Sequence, residues 1–166
     1  MTDTYENNEV AKVAELIKDA RIAMLTTMTE SGKHVARPMG LQSVEFDGDL
    51  WFFTRDDSNK IAQIRVNPEV NVSFSDQKHN AWTSLSGTAS QVNDRQKMED
   101  LWNPFLKAWF PDGVETPGIT LIKVHVDTAE YWSSADSKVV TLIGMAKAAV
   151  TGKPYSGGEN ETVELS

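Results

Sequence analysis

Two short polar turns constrain this chain more than any other feature of its sequence. Glu30-Ser31-Gly32-Lys33 separates a first run, residues 21–29, from a second, residues 34–46, and Asp47-Gly48-Asp49 separates the second from a third, residues 50–54. The runs are rich in the apolar, aromatic and β-branched residues that suit strands. Parallel strands need a crossover of a dozen or more residues, so strands joined this tightly run antiparallel. The turns therefore predict a three-stranded meander whose first pair is a hairpin.

The remainder of the chain extends the pattern. Val10, Val13, Ala14, Leu16 and Ile17 recur at helical spacing, which predicts an amphipathic helix over 9–20 capped by Asn7 or Asn8. Residues 70–75 alternate apolar and polar as a half-buried strand does, and 81–92 form the next strand, where Gly87 marks a bulge or a close approach. Asn93 or Asp94 can cap a helix through Met98, Leu101 and Trp102, which Asn103-Pro104 breaks before Phe105, Leu106, Trp109 and Phe110. Residues 119–132 read as the last strand, 133–137 as a polar linker and 139–150 as a helix or apolar run. From Lys153 onward the chain is polar, Gly-rich and acidic, the composition of a mobile tail. About six strands, with helices at the start, at one middle crossover and at the end, predict an antiparallel barrel of the α+β class. One domain is expected over 1–152, followed by a C-terminal tail over 153–166.

Composition narrows the chemistry. The 166 residues suffice for one domain with a sizeable core, and a net charge of −8 argues against nucleic acid or an anionic membrane surface as main partner. The absence of Cys removes disulfides, thiolate nucleophiles and Cys-ligated metals, and fits a reducing compartment. His34, His79 and His125 are too scattered for a metal site. Residues 2–9 are polar and acidic, unlike a signal peptide, and no apolar run approaches the length of a membrane span. A cytoplasmic location is the expectation.

The richest stretch is 50–60, Leu-Trp-Phe-Phe-Thr-Arg-Asp-Asp-Ser-Asn-Lys. A buried strand gives way there to a polar loop, and Ser58 can cap a short helix with apolar positions at Ile61, Ala62 and Ile64. The N–H groups of a helix N-terminus attract anions, Thr54 and Ser58 add hydroxyls, and Arg55 and Lys60 add two positive charges. In an acidic chain this combination reads as a phosphate site, although a capped helix with solvated Arg and Lys produces the same string.

Read together, His34-Val35-Ala36-Arg37-Pro38-Met39, the 50–60 stretch and Glu130-Tyr131-Trp132 resemble the FMN-binding split-barrel family related to pyridoxamine 5′-phosphate oxidase. Leu101-Trp102-Asn103-Pro104, Trp109-Phe110-Pro111 and Leu121-Ile122-Lys123-Val124 are similar to its general stress protein 26 branch. The resemblance implies a six-stranded antiparallel split β-barrel with flanking helices, forming a homodimer with flavin bound at its interface. The cofactor implied is FMN, with FAD left open.

By position, Arg37, Pro38 and Met39 would lie along the isoalloxazine and ribityl chain, Phe53 and Thr54 would line the same groove, and Arg55, Ser58 and Lys60 would hold the 5′-phosphate. Trp132, with the strand holding Trp82 and Gly87, would contribute from the second subunit. Each has a structural alternative: a cross-strand ion pair for Arg37, an edge or bulge for Pro38, core or interface packing for Trp132. One departure bears on function. The oxidase pattern expects an Arg a few residues after the late Trp, but no Arg follows Arg95 here, and Lys138 lacks the bidentate geometry of Arg. The expected function is thus a flavin-binding stress protein without vitamin B6 oxidation. The alternative is a flavin-dependent oxidoreductase acting on a small molecule with NAD(P)H or another donor, with a barrel lacking any cofactor as the third reading.

Overall fold

The computed structural model describes residues 2–42, 44–134, 151 and 158–165. Its elements are α1 (Thr2–Ile17), β1 (Ile22–Met28), β2 (His34–Gly40), β3 (Asp49–Arg55), α2 (Asn59–Val66), β4 (Glu69–Asp76), β5 (Ala81–Val92), α3 (Arg95–Leu101), β6 (Ile119–Ser134) and β7 (Gly158–Glu164). Two 3₁₀ turns, Pro104–Ala108 and Gly113–Glu115, lie between α3 and β6. Every strand pairing is antiparallel, in the order β2-β1-β4-β5-β6-β3 with β7 also on β6. This is the α+β split barrel expected, with a seventh strand added.

The hairpin forms as the turn dictates, with Gly32 at φ +81° in the tight turn and Met28 opposite His34. The meander does not. β3 leaves β2 and pairs with β6, Asp49 opposite His125 through Arg55 opposite Ile119. The second run also ends at Gly40, six residues short of its expected limit. Gln42 folds its amide back on the Gly40 carbonyl at 3.4 Å, is buried, and accepts a 2.9 Å bond from Asn103 Nδ2, which anchors the chain just after β2. β2 and β3 consequently end the two sides of the sheet path. They approach each other without pairing and leave a seam.

Alternation decides what each strand buries. Leu50 and Phe52 of β3 join Leu25, Val72, Leu85 and Val124 inside the barrel, and Ile61 and Ile64 of α2 with Val13 and Ile17 of α1 cover its ends. Burying a side chain such as Phe52, wholly inaccessible here, is worth about 1.5–3 kcal/mol. On the other side of β3, Phe53 packs with Leu121, Met98, Leu101, Leu106 and Phe110, its ring edge-on to Trp102 at 5.7 Å. β3 is therefore apolar on both faces, which is why it reads as a continuous run.

Two expectations at the ends are corrected. α1 begins at Thr2, so Asn7 and Asn8 lie within the helix and not at its cap; Asn in a helix costs only tenths of a kcal/mol and cannot stop it. It ends at Ile17 and not Ala20, because Arg21 is drawn into the sheet, its carbonyl accepting from Leu41 N–H. Within the expected mobile tail, Gly158–Glu164 pair with β6, with Val163 buried in the core and Glu161 accepting from the Tyr131 hydroxyl at 2.7 Å. The proposed helix or apolar run at 139–150 lies outside the described residues, as does Lys138. Among the described residues no helix is long and apolar enough to cross a membrane.

Gly87 is both bulge partner and close approach. The β5–β6 register shifts between Ser86 and Gly87, so Asp127 is an extra residue on β6, and a Cβ at position 87 would sit 2.0 Å from the His125 carbonyl oxygen. Gly87→Ala must displace backbone. It should cost at least about 2 kcal/mol and lower the Tm by roughly 4–8 °C in thermal denaturation. An unchanged Tm would show that this junction yields freely.

Candidate functional site

The site is built where the seam meets α2. On β2, Arg37 and Met39 face inward while Pro38 faces out. The Leu41 N–H to Arg21 and Thr29 N–H to Lys33 bonds fix which residues exchange hydrogen bonds across the hairpin: odd-numbered β2 residues face β1, even-numbered ones the open edge. Pro38 therefore stands where the ladder asks for no donor, as a proline in a strand must.

Arg37 reaches across its own hairpin. Nη1 donates to the Thr27 hydroxyl at 2.7 Å and to the Leu25 carbonyl at 3.2 Å, and Nη2 donates to Gln63 Oε1 at 3.1 Å. The Thr27 hydroxyl donates in turn to Gln63 Oε1 at 2.6 Å, closing a ring of three side chains. From α2, Lys60 donates to the Thr54 hydroxyl at 3.0 Å, and Thr54 lies 3.3 Å from the Ser58 hydroxyl. Ser58 is the N-cap residue of α2 but makes no side-chain cap, so its hydroxyl does not satisfy the first N–H groups of the helix.

The electrostatics are unusual. Arg37 and Lys60 are both half-buried, and neither takes part in an ion pair among the described residues. Burial lowers the Arg37 pKa; burial, and then the field of Arg37, lower that of Lys60. Two like charges drawn out of water beside each other destabilise a fold unless an anion joins them. With the Thr54 and Ser58 hydroxyls at hand, the arrangement suits a phosphate.

The other expected site residues are distributed as follows. Thr54, Ser58, Lys60 and Arg37 come together, and Met39 is buried two residues along β2 from Arg37. Arg55 does not join them. It points to solvent and grips Asp57 through Nε at 3.1 Å and Nη2 at 3.4 Å, an exposed pair that raises its pKa. Phe53 faces away into the Trp102 cluster. Trp132 lies on the outward face of β6, directly across from Trp82 of β5, apart from the Arg37 group. Two surface cavities of about 580 and 990 Å³ flank the C-terminal end of α1, and none of these residues lines either. Sequence reasoning missed Thr27 and Gln63. Gln63 follows Lys60 by three residues on one helix face, and the hairpin register sets Thr27 diagonal to Arg37, so both were within reach of a register argument.

Because folding depresses the Lys60 pKa, the folded state sheds this proton at lower pH than the unfolded chain does. The cost of the buried ammonium is present in full below the folded pKa and fades as pH rises toward the unfolded value. Without ligand, Lys60→Met should raise the Tm by a few degrees near neutral pH, and the gap between variant and wild type should narrow by about pH 10. A gap that is absent or widens with pH would mean that Lys60 is not held at a cost.

Comparisons with known proteins identify the family. Residues 8–156 match the family described as pyridoxamine 5′-phosphate oxidase like. The protein bli-3 of Neurospora crassa is 32% identical over 163 residues, covering 92% of this chain and 78% of its own length. Among solved structures, a protein classed as general stress protein 26 from Jannaschia sp. CCS1 superposes with a TM-score of 0.73 at 25% identity, covering 99% of each chain. The general stress FMN/FAD binding protein of Xanthomonas citri superposes with a TM-score of 0.64 at 29% identity, over 82% of this chain and 93% of that one. With the split barrel and the seam in place, the chain belongs to the pyridoxamine 5′-phosphate oxidase-like family.

Proposed function

We propose that this protein is a flavin-binding protein of the general stress type, holding FMN by its 5′-phosphate between Arg37, Lys60, Thr54 and Ser58. The observation that carries this reading is the pair of half-buried cations with no acidic partner among the described residues. The relative from Xanthomonas citri, which binds FMN or FAD, supports it. FMN supplies hydride or electron chemistry when bound; the chain's part is to hold the phosphate and orient the ring system along the β2 edge. FAD shares the first phosphate and fits the same anchor.

Two copies complete the site in this reading. Ile22 and Met24 of β1, with Trp82 and Trp132, are exposed on the outward face of one sheet, Met24 in the row that continues through Ser73, Ser84 and Glu130, and Trp82 opposite Trp132 in the next row. Four large apolar side chains on one face suit a self-complementary homodimer contact. Vitamin B6 oxidation is not proposed, because residues 96–166 contain no Arg to grip a substrate phosphate bidentately. Membership of an oxidase-like family favours turnover of some other small molecule as the second reading.

Lys60→Ala and Ser58→Ala should each weaken FMN roughly ten- to a hundredfold in fluorescence titrations and leave riboflavin, which lacks the phosphate, nearly unchanged. Equal losses for both ligands would remove the phosphate assignment. Trp82→Asp should convert a dimer to a monomer in sedimentation velocity and weaken FMN at least about tenfold; a monomeric wild type would remove the two-copy site. Anaerobic NADH or NADPH separates the readings of turnover: rapid bleaching of the flavin spectrum supports an oxidoreductase, and a persistent spectrum supports binding without turnover.

A further inference from the structure

Gln63 stands where a carboxylate would be expected and none is found. Its Oε1 receives two donors, Thr27 Oγ1 at 2.6 Å and Arg37 Nη2 at 3.1 Å, while Thr27 takes Arg37 Nη1 at 2.7 Å. The proton order in this ring is forced: guanidinium donates twice, the hydroxyl accepts and donates, and the amide oxygen only accepts. A Glu at 63 would offer the same oxygen in the same place with a stronger bond to Arg37. β1, β2 and α2 contain no Asp or Glu, and of the two acids in the loop before Ser58, Asp56 and Asp57, the second is paired with Arg55.

We propose that Gln63 sets the site's selectivity for a phosphate-bearing ligand, fixing the Arg37 guanidinium through a neutral acceptor and so leaving the charges of Arg37 and Lys60 uncancelled. Gln63 is a positioning residue that acts through Arg37. The three acceptors that hold the guanidinium, the Leu25 carbonyl, Thr27 and Gln63, are all neutral, so its direction is set without loss of its charge. A carboxylate there would hold Arg37 at least as well, and would also sit near Lys60, whose charge Arg37 already feels. One of the two positive charges would then be cancelled, and much of the advantage of FMN over riboflavin would go with it.

This inference rests on the flavin reading for its probe, and a second probe keeps the two apart. FMN and riboflavin affinities are measured for wild type, Gln63→Glu and Gln63→Met, with the Tm of each followed against inorganic phosphate. Gln63→Glu should lower FMN affinity about tenfold or more while changing riboflavin less than about threefold, and should lose the stabilisation by phosphate. Gln63→Met, neutral but without an acceptor for Arg37, should loosen the guanidinium yet leave both charges uncancelled, and so keep more of the preference for FMN and of the response to phosphate than Gln63→Glu does. A Gln63→Glu variant that prefers FMN as strongly as wild type overturns the inference, as does a Gln63→Met variant that loses the preference as fully as Gln63→Glu. Wild type that binds neither flavin but is stabilised by phosphate, with Gln63→Glu not stabilised, would end the flavin reading and leave the role of Gln63 standing.

Discussion

β6 carries two different sets of hydrogen bonds along one edge, and the arrangement of the sheet follows from where one gives way to the other. Up to Val126 that edge serves β3 and its preceding turn, with Val126 N–H donating to the Gly48 carbonyl; from Asp127 it serves β7, with Leu165 N–H donating to the Asp127 carbonyl. The opposite edge pairs with β5 throughout, and takes up the extra residue Asp127 only because Gly87 lets the His125 carbonyl come close. Fixing β3 on β6 keeps it from β2. The seam between them, roofed by α2, is where Arg37, Thr54 and Lys60 meet.

The site is thus the part of the barrel least favourable to its own stability. Inward positions that elsewhere hold Leu25, Phe52 or Val72 hold Thr27, Thr54 and Arg37 at this end, and α2 adds Lys60 where an apolar residue would pack. Polar networks of this kind strengthen each other in a low local dielectric, and the same dielectric makes unpaired charge costly. Both effects favour a bound anion.

Local signals carried most of the element boundaries. Ala81–Val92 agrees at both ends, Ser58 and Asp94 occupy the N-cap positions anticipated, Asn67 ends α2 before Pro68, and Asn103 starts the 3₁₀ turn at Pro104 after α3 has ended at Leu101. Ser58 nonetheless does not act as a capping side chain; its hydroxyl turns to Thr54. What the sequence could not reveal was non-local. The short turn before Asp49 suggests β2 as the partner of β3, whereas the partner β6 begins more than sixty residues later, and no turn signal encodes a pairing across that separation. Arg55 differs for a local reason: the sequence shows Asp57 two residues on, but not that the folded chain pairs the two in solvent. β7 escaped notice because a strand that buries little beyond Val163 looks like a tail in composition.

Pro38 has a consequence for how copies of this chain meet. A sheet that stops at an open seam offers a template on which any extended segment can grow a further strand, the usual route to edge-to-edge aggregation. Here the exposed rim of β2 would offer donors at every second residue, and the proline removes the one between Ala36 and Gly40. An incoming strand would lose a rung in the middle of its ladder. The rim is left suited to partners that dock side chains against it, so the chain can keep an unpaired edge without inviting fibres.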